Sequence, residues 1–288
     1  MAYAVLSVML FSGFTLTSRA GLTTGLRPPD VAALRFGIGG LLLAPVLVRH
    51  GRGGLRGRDA FALAFLGGLG FALFAYTGFW LAPAAHGSVL LHGTIPIFTS
   101  LLAGSASASR RGLRVGAALI AIGVVMMAYD SLAAARGRQL LGDGSLLLAS
   151  LLWAAYGVRV RSSMLAPAHA ASIVAVLSMC CFLPIYAFLP HDALLALGTR
   201  QLLVQVAVQG VLVGAVSIFV YTRAVSSLGP TVSSLFTAAV PCLTTLMAIP
   251  LLSETPSGLA LLGMAIVTVG MAACFAAARP VRDRSLVV

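Results

Sequence analysis

Read as apolar runs and polar breaks, the chain divides into ten stretches of membrane-crossing length. They cover residues 2–19, 30–49, 61–81, 85–105, 113–130, 140–158, 168–189, 201–223, 230–252 and 257–278. A crossing helix needs about 20 predominantly apolar residues, and each run is of that order. The breaks carry turn and cap chemistry. Pro28-Pro29-Asp30 opens the second run, Gly51-Arg52-Gly53-Gly54 follows it, and Glu254-Thr255-Pro256 separates the last two. The longest central connection, 131–144, predicts a join between two halves, 1–135 and 136–288.

The two halves resemble each other. At a constant offset of 145, residues 71–101 fall on 216–246. Phe74 then meets Phe219, Tyr76-Thr77 meets Tyr221-Thr222, Ser88 meets Ser233, Pro96 meets Pro241 and Thr99 meets Thr244. With small changes of offset, Gly116 and Gly123 match Gly263 and Gly270, and Phe11-Ser12-Gly13-Phe14 resembles Trp153-Ala154-Ala155-Tyr156. Five runs per half is an odd number, so the second half must enter the membrane upside down. The expected fold is an all-α integral membrane protein of ten transmembrane helices in a five-plus-five inverted-topology repeat. Repeats of that kind recur in transporters, with the substrate at the repeat interface near the midplane.

Composition narrows the class. Apolar residues make up 59% of the chain and charged residues 9%, against about 25% charged in an average soluble domain. A soluble protein of this size would need a polar skin that these residues cannot supply. All 19 basic residues are Arg, and a Lys-free chain rich in Ala, Gly and Leu points to a GC-rich, bacterial genome. The net charge of +12 does not predict nucleic-acid binding, because the arginines lie between apolar runs and form no groove or repeat. They report topology instead. Connections on the side of the N-terminus carry 13 arginines and the opposite side five, with Arg35 inside a run. By the positive-inside rule both termini are expected in the cytoplasm. The first run has no basic leader and no small-residue cleavage site, so it is expected to stay as a span. Cys180, Cys181, Cys242 and Cys274 all fall in apolar runs without metal-ligand spacing, and they are expected as small buried hydrophobes. No cofactor or metal is expected, and no enzyme motif or phosphate loop is present.

Candidate site residues follow from polar and aromatic groups inside the runs. His92 lies mid-span and is a functional candidate on that ground; the plainer alternative is a neutral ring bonded to a neighbouring helix. His86 begins the same run. Pro96 and Pro241 fall mid-span at matched places. A proline there frees a carbonyl one turn earlier, which can bind substrate or be satisfied by a neighbour. Phe11, Phe14, Tyr76, Trp153, Tyr156, Tyr221 and Phe236 can pack an apolar substrate, and Ser12, Thr15, Ser88, Ser217, Ser233 and Thr237 can bind its polar end. Trp80, at a run's end, reads better as an interfacial anchor. Arg35 lies near the start of its run and reads as snorkelling or holding a loop carbonyl, with a substrate carboxylate as the alternative. The seven acids all sit at or near run ends, so carboxylate-based proton coupling lacks its usual buried groups. Gly210-x3-Gly214 and the paired Gly-x6-Gly helices predict close packing. They allow a homodimer, although a monomer suffices.

Taken in order, these features resemble the drug/metabolite transporter superfamily, specifically its ten-helix EamA-type exporters. The features are the two five-span halves, the Pro–Asp span start ending in Arg35, the Pro96 and Pro241 helices, Leu252-Ser253-Glu254, and the paired glycine helices. The Trp153-Ala154-Ala155-Tyr156 run is similar to the corresponding run of the aromatic amino-acid exporters. One departure is Ser109, which stands where the repeat would match Glu254. The resemblance implies a central, largely apolar cavity enclosed by spans 1, 3, 4, 6, 8 and 9. It also implies alternating-access export of amino acids or similar small metabolites through the bacterial inner membrane, without ATP. The partners are then a small-molecule substrate and the lipid bilayer. An antiporter of nucleotide sugars or phosphate esters, or a channel-like pore, is the alternative.

Overall fold

The computed structural model describes residues 1–82, 87–103, 111–134, 137–252 and 257–278, and among these every regular element is helical. The helices are α1 (Ala2–Thr23), α2 (Pro28–His50), α3 (Gly57–Leu81), α4 (Gly87–His92 and Ile95–Leu102), α5 (Arg111–Ala134), α6 (Arg138–Ser162), α7 (Pro167–Tyr186), α8 (Thr199–Leu228), α9 (Pro230–Thr237 and Val240–Leu252) and α10 (Gly258–Ala278). A short turn of helix, Asp192–Leu195, lies between α7 and α8. Among the described residues, seven helices are long and apolar enough to cross a membrane, and Gly87–Leu102, Arg114–Met127 and Leu261–Ala273 are shorter apolar helices. The proposed half boundary at residues 135 and 136 lies outside the described residues, as do His86 and Glu254.

Local chemistry sets several ends. Pro28 starts α2, where a missing N–H costs nothing, and the Asp30 carboxylate accepts from the Arg27 backbone N–H at 2.8 Å. Gly51 ends α2 with φ of +60°, and Gly229 (φ +81°) turns the chain from α8 into α9 ahead of Pro230. Both positions ask for a residue without Cβ.

The matched prolines do not kink continuous helices. The α4 helix breaks at Gly93-Thr94 and α9 at Ala238-Ala239, places 145 residues apart. Pro96 and Pro241 each fall in the opening turn of the second segment. The physical reason is the absent proline N–H, which cannot reach the carbonyl four residues back. These carbonyls belong to His92 and Thr237. Matched helices share a second irregularity. Residues Phe65–Leu69 of α3 and Val206–Ser217 of α8 are wound as π-helix.

Glycines allow the tightest crossings. A Cβ at Gly123 would lie 2.6 Å from the Gly263 carbonyl oxygen, and one at Gly270 would lie 2.8 Å from that of Gly116. The α5 and α10 helices therefore pack backbone to backbone, running antiparallel. The α2 helix is held between α7 and α8. On one side Phe36 meets Phe182 and the Tyr186 hydroxyl donates to Asp30 at 2.7 Å; on the other Gly39 abuts Gly214. The α3 helix packs on α6, and α1 packs on α8 and α9. The cysteines whose side chains are described are not fully buried. Cys180 is exposed, Cys181 is half-buried, and Cys242 is half-buried with its thiol 3.9 Å from the Met264 carbonyl of α10.

Candidate functional site

Two rings one turn apart on α1, Phe11 and Phe14, and two on α6, Trp153 and Tyr156, enter the same buried space. This i, i+3 spacing places each pair on one helix face. Trp153, 1% exposed, is the hub. Its ring centroid lies 4.5 Å from Phe71, 4.9 Å from Tyr221, 5.3 Å from Tyr156 and 5.5 Å from Phe11. Phe14 closes the other end against Phe79 at 5.3 Å and Tyr76 at 5.6 Å. All of these separations suit offset or edge-to-face contact. The His92 ring, 1% exposed, stacks on Phe11 at 5.4 Å and meets Phe14 edge-on at 6.3 Å.

Polar groups thread this apolar enclosure. The Tyr76 hydroxyl donates to Gln209 Oε1 at 3.0 Å. Gln209 Nε2 donates to Ser18 Oγ at 2.9 Å, and Ser18 donates to the Phe14 carbonyl at 2.6 Å. Tyr156 and Thr222 share a hydroxyl–hydroxyl bond of 2.6 Å. Arg35 enters from α2, 2% exposed, with its guanidinium 5.5 Å from the Phe14 centroid and 5.3 Å from that of Phe71. It faces the Tyr76 hydroxyl, yet its Nε and Nη1 make no hydrogen bond. Ser12 Oγ and His92 Nδ1 also lack partners, and Trp153 Nε1 and the Tyr221 hydroxyl face each other without closing a bond. A buried polar atom left unbonded costs about 1–3 kcal/mol, so their concentration in one cluster marks it as a candidate site.

The sequence-derived candidates divide by place. Phe11, Tyr76, His92, Trp153, Tyr156 and Tyr221 share the ring cluster. Thr237 reaches it from α9, where its hydroxyl is shared between the His92 carbonyl at 3.1 Å and the Ser234 carbonyl of its own helix at 2.6 Å. Thr15 and Ser217 are buried, but their hydroxyls bond back to Phe11 and Val213 of their own helices. Ser88, Phe236, Pro96 and Pro241 are buried near the helix breaks, outside the ring contacts described above. Trp80 is 45% exposed with the Arg138 guanidinium 4.6 Å over its ring. Arg35 does not snorkel. Its helix is packed on two sides, so the side chain turns inward to the rings.

A profile of the EamA-like transporter family matches residues 1–129 and 140–276. The chain belongs to the EamA-like transporter family. Comparison with curated proteins gives no match. A solved crystal structure is similar with a TM-score of 0.71 and 21% identity, over 96% of this chain and 97% of its own, and that likeness bears on the fold. An EamA-like protein is a multi-pass membrane transporter of small substrates, and its helices here enclose a ring cluster.

Sequence reasoning about this EamA-like chain passed over Gln209, Ser18, Phe71 and Phe79. Gln209 carried a signal, since an amide amid the apolar run of α8 needs a buried partner. Phe71 and Phe79 carried none that separates them from other core rings.

Proposed function

We propose that this protein exports aromatic and other neutral amino acids, or small metabolites of that build, by alternating access between two inverted five-helix repeats. The ring cluster with its unbonded polar atoms is the observation that carries the reading. Rings drawn from α1, α3, α4, α6 and α8 can take an apolar side chain, and the free polar atoms can take its charged end. Contacts between matched residues support the inverted repeat. His92 meets Thr237, and the matched glycine pairs of α5 and α10 cross each other. The matched π-helical segments of α3 and α8 support hinge points, since such bulges recur at functional sites.

In this reading ten helices span the bacterial inner membrane, with both termini cytoplasmic, and transport is facilitative. A monomer suffices for this, and a homodimer is compatible with it. Among the described residues the buried carboxylates are Asp30 and Asp143, at the openings of α2 and α6 rather than in the ring cluster.

A phosphate-ester antiporter is the second reading, favoured by the buried Arg35. A dianionic phosphate calls for more than one cation, and Arg35 is the one fully buried arginine among the described residues. A single carboxylate matches it better. The test is counterflow in liposomes. Phenylalanine preloaded inside is expected to accelerate entry of labelled phenylalanine, with leucine competing. A pore would give no acceleration, and exchange of phosphate esters alone would replace the amino-acid reading.

A further inference from the structure

Arg35 is a buried cation without a buried anion. Neither ion pair seen among the described residues, Arg27–Asp192 or Arg159–Asp59, involves it. Asp30, on the same helix, already receives the Arg27 backbone N–H and the Tyr186 hydroxyl. Asp143 lies near the start of α6 and has contacts of its own; Trp153 is about 15 Å further along that helix at 1.5 Å per residue. Facing the guanidinium are the Phe14 and Phe71 rings and the Tyr76 hydroxyl, and that hydroxyl's proton is committed to Gln209.

An unpaired buried charge is strongly unfavourable, and contact with two ring faces offsets part of that cost. Trp153 Nε1, on the ring packed against Phe71, adds an unbonded donor. The enclosure therefore has donors and a positive charge to spare, and a planar guanidinium can pair a carboxylate through two N–H···O bonds.

We infer that Arg35 is the anchor for a substrate carboxylate, which makes the ligands molecules with one carboxylate and an apolar or aromatic remainder. This rests on the reading of the ring cluster as the transport site. Phe14 and Phe71 fix the plane of the guanidinium, and Phe11 and Trp153 take the remainder of the ligand. Arg35 also sets the order of events. The guanidinium is uncompensated when the site is closed and empty, so a bound carboxylate stabilises the closed enclosure more than the open one.

The chain reports on this site itself. It has two tryptophans, and Trp153 lies against Phe71, the ring beneath Arg35. In Trp80→Phe protein all tryptophan emission comes from Trp153. Titration with 3-phenylpropionate is expected to give a saturable change in that emission. The amide of the same acid, equal in size and uncharged, is expected to bind at least tenfold more weakly. Adding Arg35→Gln removes the difference, and Arg35→Lys keeps part of it.

Equal binding of acid and amide, no response to either, or an acid preference that survives Arg35→Gln overturns the inference. Should Arg35→Gln fail to elute as folded protein, the acid-to-amide ratio in the Arg35 protein and the Arg35→Lys variant still decide. Phenylalanine flux in the same preparation separates the two claims. Flux with equal acid and amide binding removes the Arg35 anchor and leaves export. Acid preference without flux removes amino-acid export and leaves the anchor.

Discussion

The Thr237 hydroxyl lies 3.1 Å from the His92 carbonyl and 2.6 Å from the Ser234 carbonyl of its own helix, so its one proton is shared between them; Thr237 and His92 stand 145 apart, at places the repeat matches. Pro96 leaves that carbonyl without its helical donor, because a proline four residues on has no N–H. A residue of the other broken helix supplies part of the missing bond, sharing its hydroxyl proton with Ser234. The contact thus joins α4 to α9 at their breaks, beside the His92 ring that stacks on Phe11.

Replacing Thr237 tests this joint. Thr237→Val keeps the shape and removes the donor, leaving a buried carbonyl unsatisfied at a cost of about 1–3 kcal/mol. The expected result is a lower melting temperature in detergent and slower phenylalanine flux. Thr237→Ser should restore both. Equal melting for the valine and serine variants would show that the bond contributes nothing.

The glycine crossing of α5 and α10 has a sharper steric demand. Gly123→Ala puts a methyl 2.6 Å from the Gly263 carbonyl oxygen, and the opposing atom is backbone. Overpacking of this kind costs about 1–3 kcal/mol, so the purified yield and melting temperature should fall. Gly144, inside α6, has nothing within 4 Å of its would-be Cβ. Gly144→Ala is expected to gain about 1 kcal/mol of helix propensity. A melting comparison of the two variants checks both signs together.

Gln209 ties three helices through Tyr76 on α3 and Ser18 on α1. Gln209→Leu strands the buried Tyr76 hydroxyl and removes the donor to Ser18. A loss of about 1–3 kcal/mol is expected, together with impaired flux. Tyr76→Phe combined with Gln209→Leu should recover part of the stability, because removing both partners leaves fewer unsatisfied atoms. A double-mutant cycle on melting temperature measures the coupling.

The helices were legible because a membrane span must be one long apolar run, and turn residues punctuate those runs. The α2 boundaries show this: Pro28-Pro29-Asp30 and Gly51 mark both ends. The matched prolines were legible as a pair, but the breaks at Gly93-Thr94 and Ala238-Ala239 depend on where each freed carbonyl finds its partner. Of the candidate site, rings on one helix face were readable from spacing, as with Phe11 and Phe14. Arg35 was not. The α2 helix is packed on both α7 and α8, so apolar periodicity along it does not say which way one arginine turns. Cys180 failed for the converse reason, since apolar residues of a membrane helix face outward as readily as inward.

Substitutions at the hub separate site from scaffold. Trp153→Phe keeps most of the packing and loses Nε1, and His92→Ala removes the ring stacked on Phe11. Each is expected to reduce export while membrane expression persists. Wild-type flux in both variants would place the transport path elsewhere in the molecule.

Facilitative amino-acid export is measured by uptake into liposomes holding the purified protein alone, with labelled phenylalanine, methionine and threonine and no imposed proton gradient. Saturable flux that unlabelled phenylalanine competes away is expected, with little change when a gradient is added. Flux that appears with a proton gradient alone would contradict facilitative transport, and the absence of flux for every amino acid under both conditions would contradict amino-acid export itself.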